Sequence, residues 1–144
     1  MLFSISFYIF SFFLSYIDCK RYRIPNITLG TLLIFLLIFG YIENQFNIYS
    51  FIVPLLILLF FVIILLIMPT MILGGGDIKY IVVVALYLQP LLFPLFLLIT
   101  GLMQMIFLIY LQKIKKRKVA PMAPAIFSAV IFTELLFKLG FYTF

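Results

Sequence analysis

Histidine is absent from all 144 residues, cysteine occurs once, and acidic side chains number four. The first absence excludes Ser-His-Asp and Cys-His nucleophile systems, and any zinc helix of the His-Glu-x-x-His kind. The single Cys19 excludes an internal disulfide and a Cys-rich metal module. It reads as a small residue that tolerates apolar surroundings at a helix end, with only lysines near it as bases. Neither a metal nor a cofactor is called for by what remains. The four acids are Asp18, Glu43, Asp77 and Glu134, set against ten Lys and Arg for a net charge of +6.

Apolar residues fill the space these absences leave. They make up 67% of the chain, and the mean hydropathy is +1.37, well beyond the share found in a globular domain. No water-soluble fold of this length hides that much apolar surface. Residues 1–144 therefore read as one domain of an all-α, polytopic integral membrane protein, with membrane lipid as its surroundings. The basic residues fall in short tracts instead of covering a face, which fits membrane orientation and not nucleic-acid binding.

In chain order, the apolar run 2–17 is followed at once by Asp18, Lys20, Arg21 and Arg23. A secretory signal has its positive charge before the apolar run, so this one is expected to remain as a helix with its C-terminal end in the cytoplasm. Ile24-Pro25-Asn26 makes a turn, and Pro25 suits the start of the next helix. Residues 27–42 cross outward, 43–47 form a polar external loop, and 48–68 return, with Pro54 a kink site. From Lys79 to the next basic tract at Lys113 there are 33 intervening residues, which must cross an even number of times with a turn from Gln89-Pro90 through Pro94. The arm from Asp77 to Gln89 is then only about 20 Å long against roughly 30 Å of hydrocarbon, so Asp77 is expected below the membrane surface. Residues 95–112 come back in, and 125–144 cross outward. Glu134 and Lys138 stand four apart and read as an ion pair on that last helix. The expectation is six transmembrane helices in the cytoplasmic membrane, with both termini outside.

Between two apolar runs lies Gly74-Gly75-Gly76-Asp77-Ile78-Lys79. An ionisable residue in or beside a membrane span is costly and points to function. Three glycines weaken a helix and let backbone approach another segment closely. Either aspartate alone could simply sit at a helix end, where Asp77 would meet a favourable dipole. Both together, placed on the same membrane side by the charge tracts, favour a site. Two carboxylates held close share a proton. One can then draw a proton from water while the other polarises a carbonyl, which is peptide hydrolysis without a covalent intermediate. The pair titrates as a unit, and the acid and base roles stay open. Lys20 and Lys79 read as charge balance at the membrane surface, and Pro25 and Asn26 as turn chemistry.

Three stretches, in order and spacing, resemble the type IV prepilin peptidases, the GxGD-type intramembrane aspartyl proteases that include archaeal preflagellin peptidases. They are Asp18-Cys19-Lys20-Arg21-Tyr22-Arg23-Ile24-Pro25-Asn26, Gly74-Gly75-Gly76-Asp77-Ile78-Lys79, and Val119-Ala120-Pro121-Met122-Ala123-Pro124-Ala125. The resemblance implies that Asp18 and Asp77 are the catalytic pair. It also implies that the substrates are prepilin-like precursors, cut on the cytoplasmic side between a basic leader and a hydrophobic helix. The chain lacks the cytosolic Cys-rich insertion of longer members, so N-methylation of the new N-terminus is not expected. Two other classes fit parts of the pattern. An ion-coupled carrier also uses Gly-broken helices and membrane carboxylates, but no inverted repeat is visible. A membrane scaffold subunit could keep the fold without the activity.

Overall fold

The computed structural model describes residues 1–70, 74–116 and 120–141. Leu73, the basic residues Arg117 and Lys118, Val119 and the C-terminal Phe144 lie outside the described residues. Six α-helices and one short 3-10 turn account for most of the described chain, and no strand occurs among the described residues. The helices are α1 (Leu2–Arg21), α2 (Asn26–Ile42), α3 (Ile48–Ile67), α4 (Gly75–Tyr87), α5 (Phe93–Ile114) and α6 (Ala123–Lys138). The 3-10 turn Pro90–Leu92 leads into α5, and Pro94 falls in that helix's first turn, where its missing N–H costs nothing.

Each break has a local cause. Tyr22 takes a left-handed conformation, φ 53°, and its N–H closes on the carbonyl of Asp18 at 2.8 Å, which ends α1 within one residue of its last turn. Pro25 caps α2 from just outside the helix, its carbonyl accepting from the Leu29 N–H and the Thr28 hydroxyl. Asn47 and Ser50 form a capping box at the start of α3. Helix α4 begins at Gly75, two residues ahead of the position where Asp77 was expected to start it.

Helices α1, α2, α4 and α6 make the centre of the bundle, with α3 packed on α4 and α5 on α6 at its sides. Phe7, Leu14, Leu32, Leu36, Val84 and Ile126 fill the core. The rings of Phe7 and Tyr87 stack with centroids 3.9 Å apart. Polar side chains also point inward: Ser6, Ser11, Ser15, Asp18, Ser50, Thr100 and Thr133 are buried, while Phe12, Phe13, Leu59 and Phe60 are exposed. Small polar residues inside and large apolar ones outside is the arrangement a lipid solvent selects. Three helical segments, Leu2–Arg21, Ile48–Ile67 and Pro90–Ile114, are long and apolar enough to cross a membrane. The other helices have 17, 13 and 16 residues.

At the end of the bundle where α1 begins, Glu43 accepts from the Met1 ammonium at 2.8 Å and from the Leu2 N–H at 2.7 Å. The ammonium hydrogen bond holds Glu43 below the usual carboxylate range. Glu134 does not pair with Lys138. It accepts hydrogen bonds from the hydroxyls of Tyr8 and Tyr87, the latter at 2.7 Å, and so ties α6 to α1 and α4. Two phenols already aimed at a carboxylate inside the bundle compete well with a lysine that can reach water.

Candidate active site

Asp18 opens the last turn of α1 and is almost fully buried, at 3% exposure. Its Oδ2 accepts a hydrogen bond from the backbone N–H of Ala123 at 2.9 Å, and the Met122 N–H also points to it. Ala123 is the first residue of α6, so the carboxylate closes the open N-terminus of a helix 105 residues away in sequence. Free N–H groups and the helix dipole favour an anion there. The late proline stretch thus acts locally. With Pro124 inside the first turn of α6, that turn starts where Asp18 can cap it.

Asp77 occupies the third position of α4. Its carboxylate folds back over Gly74 at the start of its own helix, the position from which an acid at N3 favours a helix N-terminus. The start of α4 lies against the turn that follows α1, so Asp77 and Asp18 belong to the same end of the bundle.

The three glycines are not equivalent. A Cβ on Gly74 would stand 3.1 Å from the Asp77 Oδ2, so the residue that caps α4 must be small for the carboxylate to fold over it. On Gly76 it would stand 3.1 Å from the Cβ of Ile24 and 3.4 Å from that residue's carbonyl oxygen. The missing side chain lets the start of α4 lie against the turn that follows Asp18. On Gly75 it would meet nothing within 4 Å among the described residues.

The supporting residues divide in the same way. Lys79 donates to the Asn26 Oδ1 at 3.3 Å, linking the starts of α4 and α2 across the site's edge. Pro25 caps α2 and touches neither aspartate through any hydrogen bond among the described residues. Sequence reasoning missed three side chains behind the pair. Ser11, Ser15 and Asp18 share one face of α1, and Tyr80 sits one turn beyond Asp77 on α4. The Tyr80 hydroxyl is directed toward Ser11, yet Ser11, Ser15 and Tyr80 have no well-formed side-chain hydrogen bond. Serines at four- and three-residue intervals leading to an aspartate were a signal that could have been found in the sequence.

A helical bundle with large apolar side chains on its outer faces, a few polar ones buried inside and three helices long enough to span a bilayer has the character of a membrane protein, and it brings two aspartates to one end. The type IV leader peptidase family matches residues 5–109, a stretch that contains both aspartates and all three glycines, and the chain belongs to that family. No curated protein and no solved structure matches the chain.

Proposed function

We propose that this chain is an intramembrane aspartyl endopeptidase. In this reading it removes the leader from pilin-like precursors at the cytoplasmic face of the cell membrane, with Asp18 and Asp77 as its catalytic residues. One observation carries it: Gly76 lets the start of α4 lie against Ile24 in the turn after α1, which brings the two aspartates, 59 positions apart in a chain with only two other acids, to one end of the bundle inside a family-matched segment.

Hydrolysis needs one carboxylate ionised and one protonated. The ionised group takes a proton from water as the water oxygen bonds to the scissile carbonyl carbon, while the protonated group gives its proton to the carbonyl oxygen. As the tetrahedral intermediate collapses, the carboxyl group that took the proton from water passes it to the amide nitrogen, the other carboxylate takes a proton back from a hydroxyl of the intermediate, and the C–N bond breaks. The Ala123 N–H keeps Asp18 in place throughout, and Gly74 leaves Asp77 room to turn. With six membrane crossings and both termini outside, this end of the bundle faces the cytoplasm, where the basic leader of a precursor remains. No metal or cofactor enters the scheme.

The test is cleavage of a synthetic precursor by the purified chain, read by mass spectrometry. Asp18→Asn and Asp77→Asn each keep the shape of the carboxyl group and remove its ability to take up a proton. Either change is expected to lower cleavage at least about a thousandfold while helix content and precursor binding persist. A carrier or scaffold has no such cleavage to lose, and residual activity near the parent rate in either variant would end the aspartyl assignment.

A further inference from the structure

Helix α3 is buried at only one end. Its buried residues are Ser50 and Pro54, and from Leu55 to Ile67 none is buried. It packs along α4, but no comparable seam joins it to α2. A wedge of about 510 Å³ opens between α2, α3 and α4, walled by Leu33, Leu58, Val62 and Leu65 among others. Its polar end carries Asn26, Lys79 and Gly75, the last two residues before Asp77 being Gly75 and Gly76.

Gly30 lines the same wedge, and a Cβ there would meet nothing within 4 Å. The chain's own packing therefore does not require glycine at position 30, although glycine in a helix costs about 1 kcal/mol relative to alanine. At the polar end a Cβ on Gly75 would likewise meet nothing within 4 Å among the described residues. Glycines facing an unfilled apolar cleft suit the close approach of another helix, whose backbone can come down where the side chains are missing. A flexible acyl chain gains little from them, since it adapts to alanine as well.

Resting on the peptidase reading above, we infer that this wedge seats the start of the substrate's hydrophobic helix, and that Gly30 is a specificity-determining residue. Continuity with the aspartate site selects this occupant. An apolar helix lying along Leu33, Val62 and Gly30 runs out of apolar wall at Asn26 and Lys79, and its chain then continues past Gly75 to Asp77. Asn26 to Leu33 spans about 10 Å of helix axis, close to two turns. The two turns that follow the scissile bond are thus held in the wedge, and the position of the cut is measured from the end of the apolar helix.

The experiment uses the full chain in lipid nanodiscs and a synthetic peptide with a basic leader followed by an apolar helix of about 20 residues. A benzophenone amino acid at position 62 reports the occupant, and steady-state cleavage is compared for parent, Gly30→Leu and Gly101→Leu. Gly101 is an equally open glycine on α5 that does not line the wedge, so it controls for a bulky residue on a helix surface. The expected result is a photoadduct with the peptide and a KM raised at least about tenfold in Gly30→Leu with little change in kcat. Gly101→Leu should match the parent. Val62→Phe, which narrows the wedge from α3, should raise KM as well and serves if Gly30→Leu fails to fold. Parent-like KM in both wedge variants, or adducts with phospholipid alone, would overturn the inference while leaving the peptidase reading intact. Adducts with the peptide but no cleavage would overturn the peptidase reading and keep the seat. Neither adduct nor cleavage would overturn both.

Discussion

Each of the four carboxylates has a distinct role at residue scale. Glu43 closes the N-terminus of α1, Asp18 that of α6, Asp77 lies over Gly74 in the first turn of its own helix, and Glu134 gathers two phenols. In an apolar medium an acid survives only with such partners, which is why so few occur. The glycines are just as specific. Gly76→Ala puts a methyl group against the backbone of Ile24, which cannot rotate away. We expect it to cost about 2 kcal/mol and to lower cleavage by more than that loss of stability explains, measured by thermal unfolding in detergent beside the precursor assay. Tyr80 offers the opposite sign. A buried hydroxyl without a good partner carries an unreturned desolvation cost, so Tyr80→Phe should be as stable as the parent or gain up to about 1 kcal/mol. A clear loss of stability would show that the hydroxyl is held by a group such as an ordered water.

The helices differ in what holds them. The short α4, 13 residues long, is buried at Ile78, Tyr80, Ile81 and from Val83 to Leu86, while the longer α3 is almost wholly exposed. Burial of α4 positions Asp77, and exposure of α3 opens the wedge. At the far end of α4, Tyr87 and Tyr8 meet at Glu134, so three helices are joined by one carboxylate. Glu134→Ala leaves two half-buried hydroxyls without their acceptor and should destabilise the chain by about 2 kcal/mol. Adding Tyr87→Phe in the same chain should recover part of that loss, because the second orphan is then removed. A simple sum of the two single effects in the double variant would mean that the hydroxyl and carboxylate are not coupled.

For the whole molecule the deciding quantity is orientation, since the fold defines two ends of a bundle and lipid and charge decide which faces the cytoplasm. The basic tracts predict that position 116 is cytoplasmic and position 44 external. Cysteines placed singly at Lys116 and Asn44 in a Cys19→Ser background should be labelled by an impermeant thiol reagent from inside and outside respectively. That background is needed because Cys19 is exposed. It should also retain cleavage within about twofold, as no step uses a thiol. External labelling at position 116 would invert the topology and place the aspartates on the wrong side for a cytoplasmic leader.

Much of this was legible from the chain alone. Apolar runs of helical length marked the six helices, because in lipid a backbone must satisfy its own hydrogen bonds and only helices or closed barrels do so. Gly74 to Asp77 and Asp18 stood out because charge and glycine are expensive in such surroundings. The tertiary structure alone decided the rest. That Asp18 caps α6 through the Ala123 N–H depends on a backbone donor, which leaves no residue-type signature at either position. Glu134 looked paired with Lys138 because a helix brings residues four apart together. Packing instead presented it with Tyr8 and Tyr87 from two other helices. The wedge beside α3 was equally invisible, since a helix that is apolar on every side carries no mark of which face meets protein and which meets lipid. Local terms set the elements and the cost of the charged sites; the long-range contacts that chose their partners depend on where six helices come to rest.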